Sequence, residues 1–292
     1  MKKPLFIGSC VALVTPFTEN GVNYEKLEEL IEWQIKEGTD AILICGTTGE
    51  ASTMPDEEHM EVLRFAAERI KNRVHIMMGA GSNDTRHAIK LSQYCQSIGA
   101  DSILSVTPYY NKTTQEGLYQ HFKAIAESID IPVVLYNVPS RTNLNINPAT
   151  LKRLSEIQNI VAVKECNLMQ VAETAWLCGD GLIQYSGEDG NVVPLLALGG
   201  KGVISVAANI IPADMHKLVK SFMDGDLETS RKLQIRLEPL VKALFCETNP
   251  IPVKAAMNLM GMDVGRCRMP LVDISQQGME ILKKAMKEYG LI

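Results

Sequence analysis

Short apolar runs alternate with longer amphipathic stretches along most of this chain. The pattern predicts strands at Ile7–Val14, Ala41–Cys45, Val74–Gly79, Ser102–Val106, Pro132–Tyr136, Ile160–Lys164, Leu182–Ser186 and Gly202–Ser205. Several of these are apolar at nearly every position, as expected of parallel strands covered on both faces. Between them, 3.6-residue periodicity predicts helices at Tyr24–Glu37, Asp56–Lys71, Asp84–Ile98, Gln115–Ile129, Pro148–Ser155, Met169–Cys178, Asn191–Leu198 and Pro212–Met223. Asp84 in a first turn and Pro148 at a first helical position mark two of the starts. Eight strand–helix units predict an α/β fold, a parallel sheet closed into a (β/α)8 TIM barrel. After about Gly225 the strand-like runs stop, and Leu227–Phe245, Pro250–Met260 and Asp273–Tyr289 predict a C-terminal three-helix extension. The expected division is therefore a barrel over 1–224 and an extension over 225–292, with no linker between them.

Composition narrows the function. Lys2 and Lys3 before Leu5–Val14 imitate an export signal, but the run ends in Thr15-Pro16-Phe17 without a small-residue cleavage site and reads as a first strand. No apolar run approaches the ~20 residues that span a bilayer. The 292 residues are 46% hydrophobic with a net charge of −5, which permits a large core and offers no basic face for nucleic acid. The 7 cysteines are odd in number and form no CxxC pair, so we read them as reduced, buried thiols in a cytoplasmic protein. The 5 histidines lack metal spacing, and neither a metal nor a separate cofactor is expected.

The candidate chemistry centres on Ile160-Val161-Ala162-Val163-Lys164-Glu165-Cys166, where four apolar residues lead straight into a lysine. Desolvation at the end of a buried strand disfavours the ammonium form. Lowering such a pKa from about 10.4 to about 7–8 represents roughly 4 kcal/mol of lost charge stabilisation. The resulting amine suits Schiff-base formation with a carbonyl substrate. The plainer alternative is a lysine that snorkels to water. Barrel sites form at the carboxyl ends of strands, and the residues there favour the chemical reading. Gly46-Thr47-Thr48-Gly49-Glu50 follows the second predicted strand, and Thr107-Pro108-Tyr109-Tyr110-Asn111 the fourth. Tyr136-Asn137-Val138-Pro139-Ser140-Arg141-Thr142 ends the fifth, Ser186-Gly187-Glu188 the seventh, and Val203-Ile204-Ser205 lies in the eighth. Two glycine-rich segments are weaker signals: Gly79-Ala80-Gly81 lacks the third glycine of a dinucleotide fingerprint, and Gly199-Gly200-Lys201-Gly202 lacks Walker spacing.

At these residues the chain resembles the dihydrodipicolinate synthase family of pyruvate-dependent class I aldolases, to which N-acetylneuraminate lyases also belong. The resemblance covers nearly the whole chain and includes Val163-Lys164-Glu165 and Asn249-Pro250-Ile251-Pro252-Val253-Lys254. Arg141 is the discriminating feature, because the lyases lack it and usually carry Ser-Thr where this chain has Thr47-Thr48. The resemblance implies a carbon–oxygen lyase that condenses pyruvate with L-aspartate 4-semialdehyde to 4-hydroxytetrahydrodipicolinate, the first committed step of lysine biosynthesis through diaminopimelate. It implies that Lys164 forms the Schiff base and that Tyr136, Thr47 and Tyr110 relay protons, with Tyr110 crossing from the neighbouring subunit. Thr48 and the backbone of Ile204 would hold the pyruvate carboxylate, Arg141 the carboxylate of the aldehyde, and Gly187 would leave room for substrate. A homotetramer built from two tight dimers is implied as well.

Each role has a plainer alternative: packing for Tyr109, Tyr110 and Tyr136, turn capping for Thr47 and Thr48, and a surface position for Arg141. A sugar-acid aldolase and a barrel that only binds ligands remain as competing functions. The resemblance also points to a lysine-regulatory site, matched here by His59, Asn83 and Tyr109. In that site His87 replaces a glutamate, Asp56 replaces a histidine, and Ala51-Ser52 departs from the usual Ser-Ala. Loss of an acceptor carboxylate implies weak or absent inhibition, so micromolar lysine should leave activity largely intact.

Overall fold

Eight parallel strands close on themselves in a computed structural model that describes residues 2–292. They are β1 (Gly8–Ala12), β2 (Ala41–Ile44), β3 (His75–Gly79), β4 (Ser102–Val106), β5 (Val133–Asn137), β6 (Ile160–Glu165), β7 (Ile183–Ser186) and β8 (Gly202–Ser205). Each strand pairs with its successor, and Gly8–Val11 of β1 lies opposite Gly202–Ser205 of β8 to complete the ring. The fold is the expected (β/α)8 barrel, with strand ends displaced by no more than two residues from those read in the sequence.

Two apolar layers explain the strand sequences. Cys10 and Ala12, Ala41 and Leu43, and Val134 and Tyr136 pack inside the barrel. Their neighbours Val11, Ile42, Ile44, Val133 and Leu135 pack outward under the helices. A period of two therefore fixes the direction of every side chain on these strands. On β6, Ala162 points inward, and Lys164, two residues on, shares that face.

The surrounding helices are α1 (Tyr24–Lys36), α2 (Asp56–Ile70), α3 (Thr85–Ser97), α4 (Gln115–Glu127), α5 (Pro148–Ser155), α6 (Val171–Cys178), α7 (Val192–Ala197) and α8 (Pro212–Met223). Asp84 proves to be the cap before α3 rather than a member of its first turn, and its side chain accepts from the Arg86 N–H. Several small elements escaped the sequence pattern, among them a two-stranded hairpin, Phe17–Thr18 against Gly21–Val22, a single helical turn, Pro139–Thr142, and shorter turns at Ala51–Thr53, Gly179–Gly181 and Ala207–Asn209.

At the amino end of the barrel the Lys2 ammonium donates to the carbonyls of Ser155 at 2.6 Å, Ile157 at 2.9 Å and Ile160. The Phe6 ring stacks on Tyr185 with centroids 4.3 Å apart, and the Tyr185 hydroxyl donates to Phe6 O at 2.8 Å. This end of the barrel is packed shut.

The C-terminal extension comprises α9 (Leu227–Leu244), α10 (Ile251–Leu259) and α11 (Gln276–Tyr289). The last begins three residues later than the apolar pattern suggested, because Ser275 caps it and accepts from the Gly278 N–H. α9 packs along α8, and α11 packs on α9 and α10. Leu233, Leu237, Leu240, Leu282 and Met286 join the same apolar cluster as the outer barrel layer, so the core runs unbroken across residue 225. A buried ion pair adds a second tie: Lys254 Nζ lies 2.8 Å from Glu50 Oε1. The same ammonium donates to Thr15 O at 3.0 Å and Arg266 O at 2.8 Å, and Glu50 Oε2 accepts from the Arg268 N–H at 2.8 Å.

All seven cysteines are free, but only Cys10, Cys45, Cys95 and Cys178 are buried; Cys166, Cys246 and Cys267 are half-buried. The sequence reading of uniformly buried thiols is corrected in that respect, since apolar runs hide only the residues that lie within them. Among the described residues no helix is long and apolar enough to cross a membrane.

Candidate active site

Lys164 is 5% exposed, and its Nζ lies 4.5 Å from the centre of the Tyr136 ring, its register partner on β5. Burial lowers the lysine pKa, against the opposing influence of Cys166, Cys10, Glu188 and Asp189. The aromatic face recovers about 1–2 kcal/mol for a desolvated cation. Removing an ion from water costs several kcal/mol, so the neutral amine gains. Burial also drives the Tyr136 hydroxyl well above the usual tyrosine range, although Arg141 and a Thr47 hydrogen bond pull it down. Tyr136 therefore holds its proton at neutral pH.

Behind these two, Asn137 and Glu165 point outward into the helix layer. Glu165 Oε1 accepts from Asn137 Nδ2 at 2.8 Å and from the Asn167 N–H at 2.7 Å, while Oε2 accepts from Gln170 Nε2 at 2.8 Å. Burial still raises its pKa to about 7. The network locks the end of β6, and with it the direction of Lys164.

Thr47, Tyr136 and Arg141 line one cavity of about 420 Å³ at the carboxyl mouth of the barrel. Lys164 is not in its wall and meets it through the Tyr136 ring. Thr47 is exposed there, whereas Thr48 is buried, its Oγ1 accepting from Asn249 Nδ2 at 2.9 Å. Arg141 Nη2 donates to the Asn249 carbonyl at 3.2 Å. One asparagine from the turn before α10 thus steadies both a threonine of the β2 loop and the guanidinium of the β5 loop. The family landmark at 249–254 was recognised in the sequence, but nothing local announced this linking role.

A family model described as dihydrodipicolinate synthetase matches residues 5–289. The chain belongs to the dihydrodipicolinate synthetase family. It is 65% identical over 292 residues to a protein of Acetivibrio thermocellus named 4-hydroxy-tetrahydrodipicolinate synthase, with 100% of each chain covered. Its fold matches the crystal structure of dihydrodipicolinate synthase from Aquifex aeolicus with a TM-score of 0.95 at 45% identity, over 98% of this chain and 99% of that one. The chloride-inhibited dihydrodipicolinate synthase of Acinetobacter baumannii, complexed with pyruvate, gives a TM-score of 0.95 at 42% identity over 98% and 99% of the two chains.

The other residues expected from this family resemblance divide into two groups. Ile204 lies within β8 among the inward-facing residues, and Gly187 follows β7 next to Lys164. A Cβ at Gly187 would come within 2.4 Å of Cys166 Sγ and 3.2 Å of Lys164 Cγ. The space that glycine leaves is occupied here by a thiol, a physical reason for glycine that the sequence did not disclose. Tyr110 stands apart: it is 93% exposed, with φ at +69°, and the chain does not bring it to its own Lys164. The cavity also reaches His87, whose Nε2 lies 3.0 Å from Asp56 Oδ1. The carboxylate absent at position 87 is thus present at 56, already engaged by the imidazole.

Proposed function

We propose that the chain condenses pyruvate with L-aspartate 4-semialdehyde, as a 4-hydroxy-tetrahydrodipicolinate synthase working through a lysine Schiff base. Membership of the family sets the reaction class. The observation that carries the mechanism is the desolvated Lys164 amine held against Tyr136 at the barrel mouth. A neutral amine attacks the pyruvate ketone, and the carbinolamine expels water to leave an iminium. The iminium acidifies the pyruvate methyl, and loss of a proton gives the enamine that attacks the aldehyde. Tyr136, protonated at neutral pH, acts first as the acid that helps the hydroxyl leave. Thr47 links it to solvent and to Tyr110, which enters from a second subunit of a homotetramer arranged as two tight dimers. An aromatic side chain held out in solvent at a left-handed backbone position supports that assembly. Thr48 and the Ile204 backbone hold the keto-acid carboxylate. No cofactor beyond the covalently held substrate takes part.

Arg141 presents a planar fork of donors at the cavity and suits the carboxylate of the incoming aldehyde. Arg141→Ala is expected to lower kcat/KM for the aldehyde by about 100-fold, the loss of about 3 kcal/mol from a charge-assisted pair. Capture of pyruvate by borohydride should continue at the wild-type rate. Simultaneous loss of both activities would make Arg141 a structural residue. Cleavage of sialic acid or 2-keto-3-deoxygluconate in preference to condensation with aspartate semialdehyde would overturn the substrate assignment.

A further inference from the structure

Tyr136 faces Lys164 within the barrel, while the next register pair, Asn137 and Glu165, is clasped on the outside at 2.8 Å. Asn137 has a second task. Its Oδ1 accepts from the Ile146 N–H at 3.0 Å, and its Nδ2 also donates to Asn145 Oδ1 at 2.9 Å. Those two contacts close the base of a loop that leaves β5, turns at Pro139–Thr142 with Arg141 on it, and returns at residues 145–146. Gln170, just before α6, holds the same base. Its Nε2 donates to Ile146 O at 3.0 Å as well as to Glu165 Oε2 at 2.8 Å, and its Oε1 accepts from Asn145 Nδ2 at 2.8 Å. Asn137, Glu165 and Gln170 are all buried.

The main chain dictates the polarity of this network. The Ile146 N–H requires an oxygen, which turns the amide nitrogen of Asn137 toward Glu165. The Ile146 carbonyl requires a donor, which turns the amide nitrogen of Gln170 the same way. The Asn167 N–H adds a third donor at 2.7 Å. Three neutral N–H groups therefore converge on residue 165, and an ionised carboxylate can accept from all of them. Burial lifts the Glu165 pKa to about 7, and the hydrogen bonds from these donors oppose that rise. We propose that Glu165 is a positioning residue for both halves of the reaction: it aims Lys164 from the next position on β6 and, through Asn137 and Gln170, holds the loop that presents Arg141. This rests on the Schiff-base reading and deepens it. The amine and the guanidinium have to keep one spacing if the two substrates are to meet, and a single buried carboxylate ties both to it.

The test uses the full-length enzyme at mildly alkaline pH, where Glu165 is ionised. Borohydride trapping with pyruvate reads the amine, through the rate and final extent of mass gain at Lys164. Condensation at saturating pyruvate reads the loop, through KM for aspartate semialdehyde. Glu165→Gln sets an amide nitrogen against at least one of the converging N–H groups. It should slow trapping by roughly 10-fold and raise that KM several-fold, with the final trapped fraction unchanged. Asn137→Ala frees the base of the loop but leaves Glu165 its Asn167 and Gln170 donors, so KM should rise while trapping slows less. Gln170→Ala removes one donor and no charge. It should give both effects in milder form, and it decides the matter if the Glu165→Gln protein does not fold. A wild-type trapping rate or KM in Glu165→Gln, or a wild-type KM in Asn137→Ala, overturns the proposal. So does a variant that loses only trapped fraction and kcat, because partial unfolding lowers both without changing the rate constant or KM. If the unmodified enzyme gains no mass at Lys164, the Schiff-base reading fails and this inference falls with it.

Discussion

Lys164→Met is expected to abolish condensation, lowering kcat by on the order of 10³-fold or more, while the protein stays folded. The side chain is replaced by one of similar length that cannot form an imine. Methionine also relieves the burial of an amine that has no carboxylate within ion-pair distance, so the thermal midpoint should equal or exceed that of wild type. Lys164→Arg would keep the charge and lose the chemistry in the same measure. The readouts are steady-state condensation, borohydride trapping by intact mass, and thermal melting. A methionine variant that still traps pyruvate would place the nucleophile elsewhere. A fall in the midpoint of ten degrees or so would mean the loss of activity reflects unfolding.

The second large effect is expected far from the amine. Lys254→Met should cost about 3–5 kcal/mol of stability, because Glu50 would be left as an unpaired charge in a site where its side chain has no exposure. Glu50 also occupies a left-handed backbone position, φ +57°, at the end of the loop that carries Thr47 and Thr48. Activity should fall along with stability, since the loop loses its tie to α10 through the Lys254 ammonium. The double variant Glu50→Gln with Lys254→Met should recover part of the loss, because it removes both charges. Urea unfolding of the two single variants and the double variant measures the coupling. A single variant that loses less than about 1 kcal/mol would show that the pair contributes little.

The barrel was legible in the sequence because its strands are apolar on both faces and its helices on one, and both are local patterns. The exact matches at Ser102–Val106, Pro148–Ser155, Gly202–Ser205 and Pro212–Met223 are segments whose edges also carry glycine, proline or serine signals. The hairpin at Phe17–Val22 was missed because two-residue strands have no periodicity to read. The candidate site was legible in part. Strand ends announced Lys164 and Tyr136, and family resemblance supplied roles for Thr47, Thr48 and Arg141. No local signal paired Glu50 with Lys254, 204 residues away. Likewise, nothing adjacent in the chain showed that Asn249 joins Thr48 to Arg141, or that a thiol fills the space beside Gly187. Such contacts are decided by closure of the ring, which brings distant loops to one rim.

The stacked Phe6 and Tyr185 rings give the reaction a floor. Tyr185 is the register neighbour of Lys164 on β7, so that floor lies directly against the reactive strand. Both reactants and the expelled water then share a single doorway. On the proposed Schiff-base route the keto acid is expected to enter and be secured before the aldehyde arrives, since a guest seated first would bar the way to the amine. The sequence of events is thereby imposed by the architecture of the vessel as much as by the chemistry inside it.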